Sequence, residues 1–421
     1  MKNYVEKIGI FGVYLFALST MISKSGINIG LVLMILSSVF YIKNIKFDKI
    51  EKEQKILLIT LVGIVILGLF SDGGIKSAEI SLKKSYRYLP IFFAPIFLNN
   101  MQKIKKFMFF ISCSVIVSFI NGINLYRLKD WNFNIRYESF TRINDTPHML
   151  TALSFIILGY LLYLYHKKNG KKMIYFSLIY ILMLIPILLS QTRGSWLALL
   201  MGMVVFGIIL DWKKFFIIIG ILGFLMIPIS KTNYYKNNSY IKRFQSIKNI
   251  KSDSPKIRLI LWQGCVEIYK ENPIFGVGRD NLPKHMLKYL EENKKYDEVQ
   301  NRYMLKEIAI AGNPHSMYFA TLVEEGAASF LLFYFWGYML INEFSFVLKN
   351  KKNKFRYYLV LGCVAATVSL YMSGLTENTW RSFWRGNIYC IVYIIYLSIK
   401  KCFLEEKESS IKNKFKNRER E

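Results

Sequence analysis

Two short polar segments, each beside an apolar run, carry side chains that could bind an anion or move a proton. Residues 191–196 have the sequence QTRGSW, which sets Arg193 in a tight connection between two apolar runs. A guanidinium at membrane depth is costly unless paired, so Arg193 is a candidate anion ligand, with snorkelling to lipid headgroups as the alternative. Residues 313–316 have the sequence NPHS, in which the imidazole of His315 could accept a proton near pH 7. A capping histidine is the alternative for His315.

Other charged residues fall in connections that we predict on the same side of the membrane. Five cations in these connections are weaker candidates for holding a substrate anion: Arg258, Arg279, Lys84, Arg87 and Arg142. Further polar groups predicted on this side are Asp145, His148, Glu377, Arg381 and Arg385. Glu324 and Glu325 lie inside an apolar run, about 13 Å beyond His315 at the helical rise. We expect at least one of them to pair with a cation.

The composition indicates a membrane protein. Of 421 residues, 53% are hydrophobic and 20% are charged, with a formal net charge of +29. The mean hydropathy is +0.26. A disordered chain needs low hydrophobicity, which this chain lacks. The basic excess would suit a soluble nucleic-acid binder, but the apolar content would not, so no nucleic-acid partner is expected.

The apolar residues cluster into runs that suit membrane-spanning helices, which need about 20 mainly apolar residues. The expected fold is therefore all-α and polytopic, with about 12 transmembrane helices and one large periplasmic loop. The weakest run, 88–98, contains Pro90 and Pro95. The twelve predicted spans are 8–22, 27–42, 56–70, 88–98, 107–125, 149–165, 173–189, 195–210, 215–230, 316–342, 356–373 and 386–399.

The distribution of Lys and Arg predicts the topology. Their density is about twice as high in one set of connections as in the other, which favours cytoplasmic N and C termini. The predicted regions are transmembrane helices 1–9 in 1–230, a periplasmic loop in 231–315, transmembrane helices 10–12 in 316–400 and a cytoplasmic tail in 401–421. No internal repeat is evident, which counts against transporters built from two similar halves.

The large loop is predicted to contain helices of its own. Residues 252–255 have the sequence SDSP, a polar cap followed by proline, and they predict a helix over 256–270. A second helix is expected over 282–294. Between them, residues 272–278 have the sequence NPIFGVG, which predicts a turn. This turn is not a dinucleotide fingerprint, because it follows a helix and the third glycine is missing.

The sequence carries no metal or disulfide signature. The five cysteines include no CxxC pair, and the four histidines lack HExxH spacing. We therefore expect neither a metal nor another cofactor.

Taken in order, these motifs resemble the O-antigen ligase family. Residues 313–327 are similar to its signature "PHNxYL…exG", and residues 191–196 to its element "S-x-x-R-g-x-w". Residues 258–278 are similar to its loop motif "R…W…nPxfGxG". The order, the spacing and the large loop before the histidine agree over about 140–400. One departure is Ser316, where many members carry asparagine, although serine can still cap the following helix.

The resemblance implies a membrane glycosyltransferase of the bacterial inner membrane with its active site facing the periplasm. Such an enzyme transfers a glycan from undecaprenyl diphosphate to a lipid A–core acceptor, without metal or nucleotide. Its implied catalytic residues are His315, the general base, with Arg193 and Arg258 binding the donor diphosphate. Arg279, Lys84, Arg87 and Arg142 remain substrate-binding candidates from the charge pattern alone.

Related functions remain open at this point. O-antigen polymerases and protein O-oligosaccharyltransferases of the same superfamily share the architecture and the donor. No arginine has a glycine eleven residues later, so the R-x10-G repeats of one polymerase pattern are absent. The tail is also short for a protein-glycosylating member. A lipid-linked glycan flippase is the alternative from another class, but carriers usually place charges near the bilayer midplane.

Overall fold

A computed structural model describes residues 2–42, 50–132, 135–230 and 253–418, and these residues form helices and connections without any β-strand. The first part of the chain contains α1 Lys2–Ser19, α2 Lys24–Ile42, α3 Lys52–Gly68, α4 Gly74–Ser85, α5 Pro90–Phe97, α6 Met101–Leu128, α7 Asp145–His166, α8 Gly170–Leu189 and α9 Arg193–Ser230. The second part contains α10 Asp253–Glu271, α11 Leu282–Glu292, α12 Arg302–Ile310, α13 Met317–Glu325, α14 Ala328–Lys349, α15 Lys354–Gly374 and α16 Phe383–Arg418.

The described residues contain seven helices that are long and apolar enough to cross a membrane: Met101–Leu128, Asp145–His166, Gly170–Leu189, Arg193–Ile217, Ala328–Lys349, Lys354–Gly374 and Phe383–Ser409. A shorter apolar helix spans Lys24–Phe40. The all-helical membrane class predicted from the composition is confirmed. The predicted count of twelve membrane crossings is not confirmed.

An exposed apolar stripe on α8 shows how these helices meet lipid. Ile174, Leu178, Ile181, Ile185 and Leu188 recur every three or four residues, and all five are exposed. That spacing puts them on one face of the helix. A water-soluble protein rarely exposes so continuous an apolar surface, whereas a bilayer covers it at no cost. The stripe is therefore the lipid-facing side of α8.

The core of the bundle lies around α7, α15 and the first half of α16, in which most residues are buried. Their side chains join one apolar cluster that also includes residues of α1, α5 and α6. Tyr389, Tyr393 and Tyr396 place large rings of α16 inside this cluster. The central helices thus form a fixed support for the connections at their ends.

Three sequence-based span boundaries are wrong, for local reasons. Residues 88–98 form only the eight-residue α5, about 12 Å long, with Pro90 at its start. The tenth predicted span breaks at Gly326, whose φ is 54°, into α13 and α14. The predicted separation of the spans 195–210 and 215–230 is confirmed, because Asp211 has extended backbone that divides α9 into two helical parts and caps the second. The last helix continues from Phe383 to Arg418 instead of ending near 399.

The segment before His315 has a small apolar core of its own. Residues 231–252 of the predicted loop lie outside the described residues. The two predicted helices are present as α10 and α11, and α12 was not predicted. Their buried side chains, which form a second apolar cluster, include Leu261, Cys265, Met286 and Leu305.

This segment is attached to the bundle through the glycine turn predicted at 272–278. The amides of Val277 and Gly278 donate to the carbonyls of Val323 and Glu324 at 3.0 Å each. A Cβ on Gly276 would lie 2.6 Å from the Glu324 carbonyl oxygen, so a side chain has no room there. The turn fixes the segment against α13.

Candidate active site

His315 lies just before α13, at the end of the chain segment that packs on the bundle. Its φ is 53°, a left-handed conformation that is uncommon for a residue with a side chain. The Asn313 side chain accepts a hydrogen bond from the His315 amide at 3.1 Å. Ser316 is the N-cap of α13 and accepts from the Phe319 amide. The sequence-based position of His315 beside a helix start is confirmed, and so is the capping role of Ser316.

A carboxylate faces the imidazole. Glu377 lies between α15 and α16, and its Oε1 is 3.4 Å from Nδ1 of His315. Its second oxygen accepts from Arg385 at 3.2 Å, and Arg385 Nε lies 2.7 Å from Asp145 Oδ1. This row of alternating charges joins the starts of α7 and α16 to His315. The contact with His315 is long for a hydrogen bond.

The environment of Glu377 keeps it ionised. Its side chain is only 6% exposed, and this burial by itself raises the pKa of the carboxyl. The adjacent His315 imidazole and the charge of Arg385 outweigh burial, so the pKa of Glu377 lies well below its usual range. A carboxylate held in this state can fix the orientation of the ring and stabilise positive charge on it.

Arg258 is directed toward this group by the contacts of α10. Trp262, four residues later on the same helix face, donates from Nε1 to the Pro314 carbonyl at 2.9 Å. The Trp262 ring also stacks on Phe319, with centroids 5.4 Å apart. Burial lowers the pKa of the Arg258 guanidinium, and the charge of Glu377 opposes that shift. Arg258 is thereby held within the electrostatic reach of Glu377.

Arg193 reaches the site from the turn between α8 and α9. The hydroxyl of Ser195 donates to the Thr192 carbonyl at 2.8 Å, and Trp196 Nε1 donates to the Ile187 carbonyl at 2.9 Å. A Cβ on Gly194 would lie 2.3 Å from the Thr376 hydroxyl oxygen. Glycine therefore allows the start of α9 to approach the connection that carries Glu377.

Two cavities meet at His315 and Glu377. The smaller has a volume of about 270 Å³, and its lining includes Arg193, Arg258 and His148. The larger has a volume of about 810 Å³. Both volumes are in or near the range of small-molecule sites. His315 and Glu377 line both cavities, so one imidazole faces two compartments.

Three of the weaker sequence candidates line the larger cavity: Lys84, Arg87 and Arg142. Lys84 forms an ion pair with Asp280 at 2.6 Å. Arg87 donates to the Arg381 carbonyl at 2.9 Å. The structure thus brings these three cations together with His315.

Arg279 does not line either cavity. It is 6% exposed and pairs with Glu325 at 2.6 Å, and Arg381 lies 3.2 Å from the same carboxylate. Arg381 also pairs with Glu324. The prediction that at least one of the two glutamates pairs with a cation is confirmed, and in fact both do. The same contacts leave Arg279 away from any substrate, which argues against its predicted role in binding one.

Sequence reasoning identified Glu377 and His148 only as charged or polar neighbours, and Arg136 was missed entirely. Arg136 lines both cavities and donates to the Ser190 carbonyl at 2.9 Å and the Thr192 hydroxyl at 2.7 Å. His148 is fully buried and its Nδ1 is 2.8 Å from the Ser373 hydroxyl oxygen. The only sequence feature that could have indicated Arg136 is its position in a connection between two helices. Many arginines with a purely structural role have the same position.

Within the described ranges, no group of three His, Cys, Asp or Glu side chains is arranged to hold a metal ion. The polar groups that line the two cavities include cations, carboxylates and the histidines His148 and His315. Such a set can bind an anionic substrate and transfer a proton.

The bundle and its polar site at one end define a multi-pass helical membrane protein. Residues 178–334 match the family described as O-Antigen ligase. This match bears out the resemblance of the motifs to that family over these residues. An uncharacterized protein of Haemophilus influenzae (strain Rd) is 22% identical, over 93% of this chain and 96% of that protein.

Proposed function

We propose that this protein is an O-antigen ligase, which transfers a glycan from undecaprenyl diphosphate to a hydroxyl of a lipid A–core acceptor. The observation that carries the proposal is the position of His315, which is backed by Glu377 and lines two cavities at once. A transferase needs its base between the two substrates. The partners implied are the lipid-linked donor, the acceptor and the surrounding lipids.

The smaller cavity suits the donor diphosphate. Its charged side chains are Arg136, Arg193, Arg258 and Glu377, besides the two histidines. The three guanidiniums exceed the single carboxylate by two charges, which matches a diphosphate diester. Guanidinium forks fit phosphate oxygens in pairs, and they stabilise the charge that builds on the leaving group. Arg193 and Arg258 would hold the diphosphate on this side of His315.

His315 would act as the general base. Its Nδ1 faces Glu377, so Nε2 is the nitrogen left to take the proton of the acceptor hydroxyl. The oxygen then bonds to the anomeric carbon, and the bond from that carbon to the diphosphate breaks with its electron pair. Undecaprenyl diphosphate leaves, and attack from the opposite side inverts the anomeric centre. Glu377 stabilises the imidazolium that forms.

We also propose that the site faces the periplasm and that both termini are cytoplasmic. Arg385, near the start of α16, belongs to the site, whereas Lys400 on the same helix pairs with Glu51 and Glu53 at the start of α3. Glu6 of α1 pairs with Lys103 near the start of α6, and that helix ends close to the site. These contacts support a topology in which both termini lie on the side of the membrane opposite to the site.

A complementation experiment tests the proposed reaction. A deletion strain is complemented with wild type, His315→Gln or an empty vector, and its lipopolysaccharide ladder and lipid-linked pool are compared. We expect the ladder only with wild type, and long glycans accumulating on undecaprenyl diphosphate in the other two strains. If single repeat units still reach the lipid A–core without His315 and only chain length collapses, the protein is a polymerase instead.

A further inference from the structure

Two cations of the larger cavity face the same aromatic ring. Nζ of Lys24 lies 5.5 Å from the ring centroid of Phe383, and Cζ of Arg87 lies 5.4 Å from it. These distances place the two charges within about 11 Å of each other. Arg142 lines the same cavity. None of the three forms an ion pair within the described part of the chain.

The carboxylates of this cavity face other cations. Asp280 pairs with Lys84 at 2.6 Å, and Glu138 pairs with Lys129 at 2.5 Å. The remaining three are engaged by two arginines and the histidine: Glu324 by Arg381, Asp145 by Arg385, and Glu377 by Arg385 and His315. The cavity acids therefore leave Lys24, Arg87 and Arg142 without a charge partner.

Unpaired like charges that line one cavity repel each other, and a bound anion removes that repulsion. If the smaller cavity holds the donor diphosphate, as proposed above, the larger cavity remains for the acceptor. A neutral sugar would leave the three cations unpaired. An acceptor that carries a phosphate or carboxylate group would pair with them through charge-assisted hydrogen bonds.

We propose that Lys24, Arg87 and Arg142 form an anion subsite that selects an acceptor sugar with an acidic substituent near the accepting hydroxyl. This inference rests on the proposed ligase function and specifies its acceptor. The aromatic face of Phe383 holds the first two cations toward the cavity, and Arg142 approaches from the connection before α7.

The test is a reconstituted transfer assay that measures KM for donor and acceptor separately. Its two acceptors are lipid A–core preparations from strains that differ only in phosphorylation of the core sugars. The variants are Arg142→Gln and Lys24→Gln, both at exposed positions, with Lys76→Gln on the exposed side of α4 as the matched control. Elution volume and thermal unfolding in detergent check that each variant folds.

We expect wild type to show at least a tenfold lower KM for the phosphorylated core. Arg142→Gln and Lys24→Gln should raise that KM by a similar factor. The KM for the donor and the KM for the unphosphorylated core should not change. Equal use of both cores by wild type would overturn the subsite and leave the ligase intact. A rise in donor KM alone would reassign these cations to the donor, again overturning it. Absence of transfer to either core would contradict the ligase function itself.

Discussion

His315 has left-handed backbone, as do Gln191 and Asp280, which also line the two cavities. Its left-handed φ of 53° carries a strain of order 1–3 kcal/mol that glycine would avoid. The residue nevertheless keeps its imidazole against Glu377, which is buried and ionised. Strained backbone at a polar cavity is typical of residues that act on a substrate.

Replacing His315 or its carboxylate partner should impair transfer to different degrees. We expect His315→Gln to lower kcat by roughly a hundredfold or more, because the base is lost. Glu377→Gln should lower kcat less, since the ring remains but loses the charge that stabilises its protonated form. His166→Gln, at the opposite end of α7, is the control and should keep wild-type kcat. Initial rates of glycan transfer provide the measurement.

Arg279 should matter for stability and not for substrate. Arg279→Gln breaks a buried ion pair, and the cost should reach up to about 3 kcal/mol because Arg381 still faces Glu325. The folded fraction should keep its kcat/KM within a factor of about two. Thermal unfolding and transfer rates measured on the same preparation separate these effects. A large rise in donor KM with unchanged stability would restore Arg279 to the substrate site.

At the residue scale, the sequence identified cations and a histidine but not which of them meet. The motifs contain His315, Arg193 and Arg258, and in the structure these three residues line one cavity. Glu377 could be assigned to the same side of the membrane, but its contact with His315 depends on how the α15–α16 connection folds back. Arg279 shows the converse, because a cation next to a motif proved to be buried against a carboxylate.

At the scale of elements, the glycine turn at 272–278 links the membrane bundle to the segment that positions Arg258. Backbone hydrogen bonds from Val277 and Gly278 hold it to α13, and the Ala327 amide donates back to the Ile274 carbonyl at 2.8 Å. Gly276 and Gly326 both have positive φ where the turn and the connection between α13 and α14 cross closely. The motif therefore has a structural explanation that needs no bound phosphate.

Adding a methyl group at this crossing should disturb both stability and catalysis. Gly276→Ala places a Cβ 2.6 Å from the Glu324 carbonyl oxygen at a φ of 67°, and we expect a loss of about 1–3 kcal/mol. Transfer should fall because α10 and Arg258 shift. Gly337→Ala is the matched control, since a Cβ there meets nothing within 4 Å. Equal melting temperatures and rates for the two variants would show that the turn does not position the site.

Helix starts at polar caps were predictable from the sequence, whereas interruptions within apolar runs were not. The SDSP sequence predicts the start of α10 correctly within a few residues. The break at Gly326 was missed because an apolar run continues on both sides of it, and only the docked turn explains it. The interruption of α9 at Asp211 was predictable, because the polar segment 211–214 separates two apolar runs.

At the scale of the whole molecule, one end of the bundle carries the site and the other carries the described ends of the chain. This arrangement predicts the outcome of labelling with a membrane-impermeant maleimide. Tyr303→Cys, an exposed position on α12, should react in cells with a permeabilised outer membrane. Glu408→Cys, on the exposed part of α16, should react only after lysis of the inner membrane.

This labelling uses a Cys113→Ser background, because the other four cysteines are buried. Labelling of Glu408→Cys before lysis would contradict the proposed topology. Repeating the reaction at Arg193→Cys, a half-buried position that lines the smaller cavity, also tests a carrier, since a transferase keeps this position accessible from one side. Alternating access from both sides would favour a flippase.

The most direct test of the central claim is transfer by the purified protein. Its substrates are an undecaprenyl-diphosphate-linked glycan and lipid A–core, supplied in EDTA without nucleotide, and mass spectrometry identifies the product. We predict glycosylated lipid A–core and free undecaprenyl diphosphate with wild type, and neither with His315→Gln, although the variant still binds the donor. Wild-type rates from His315→Gln, or extension of the lipid-linked glycan in place of transfer to the core, would contradict it.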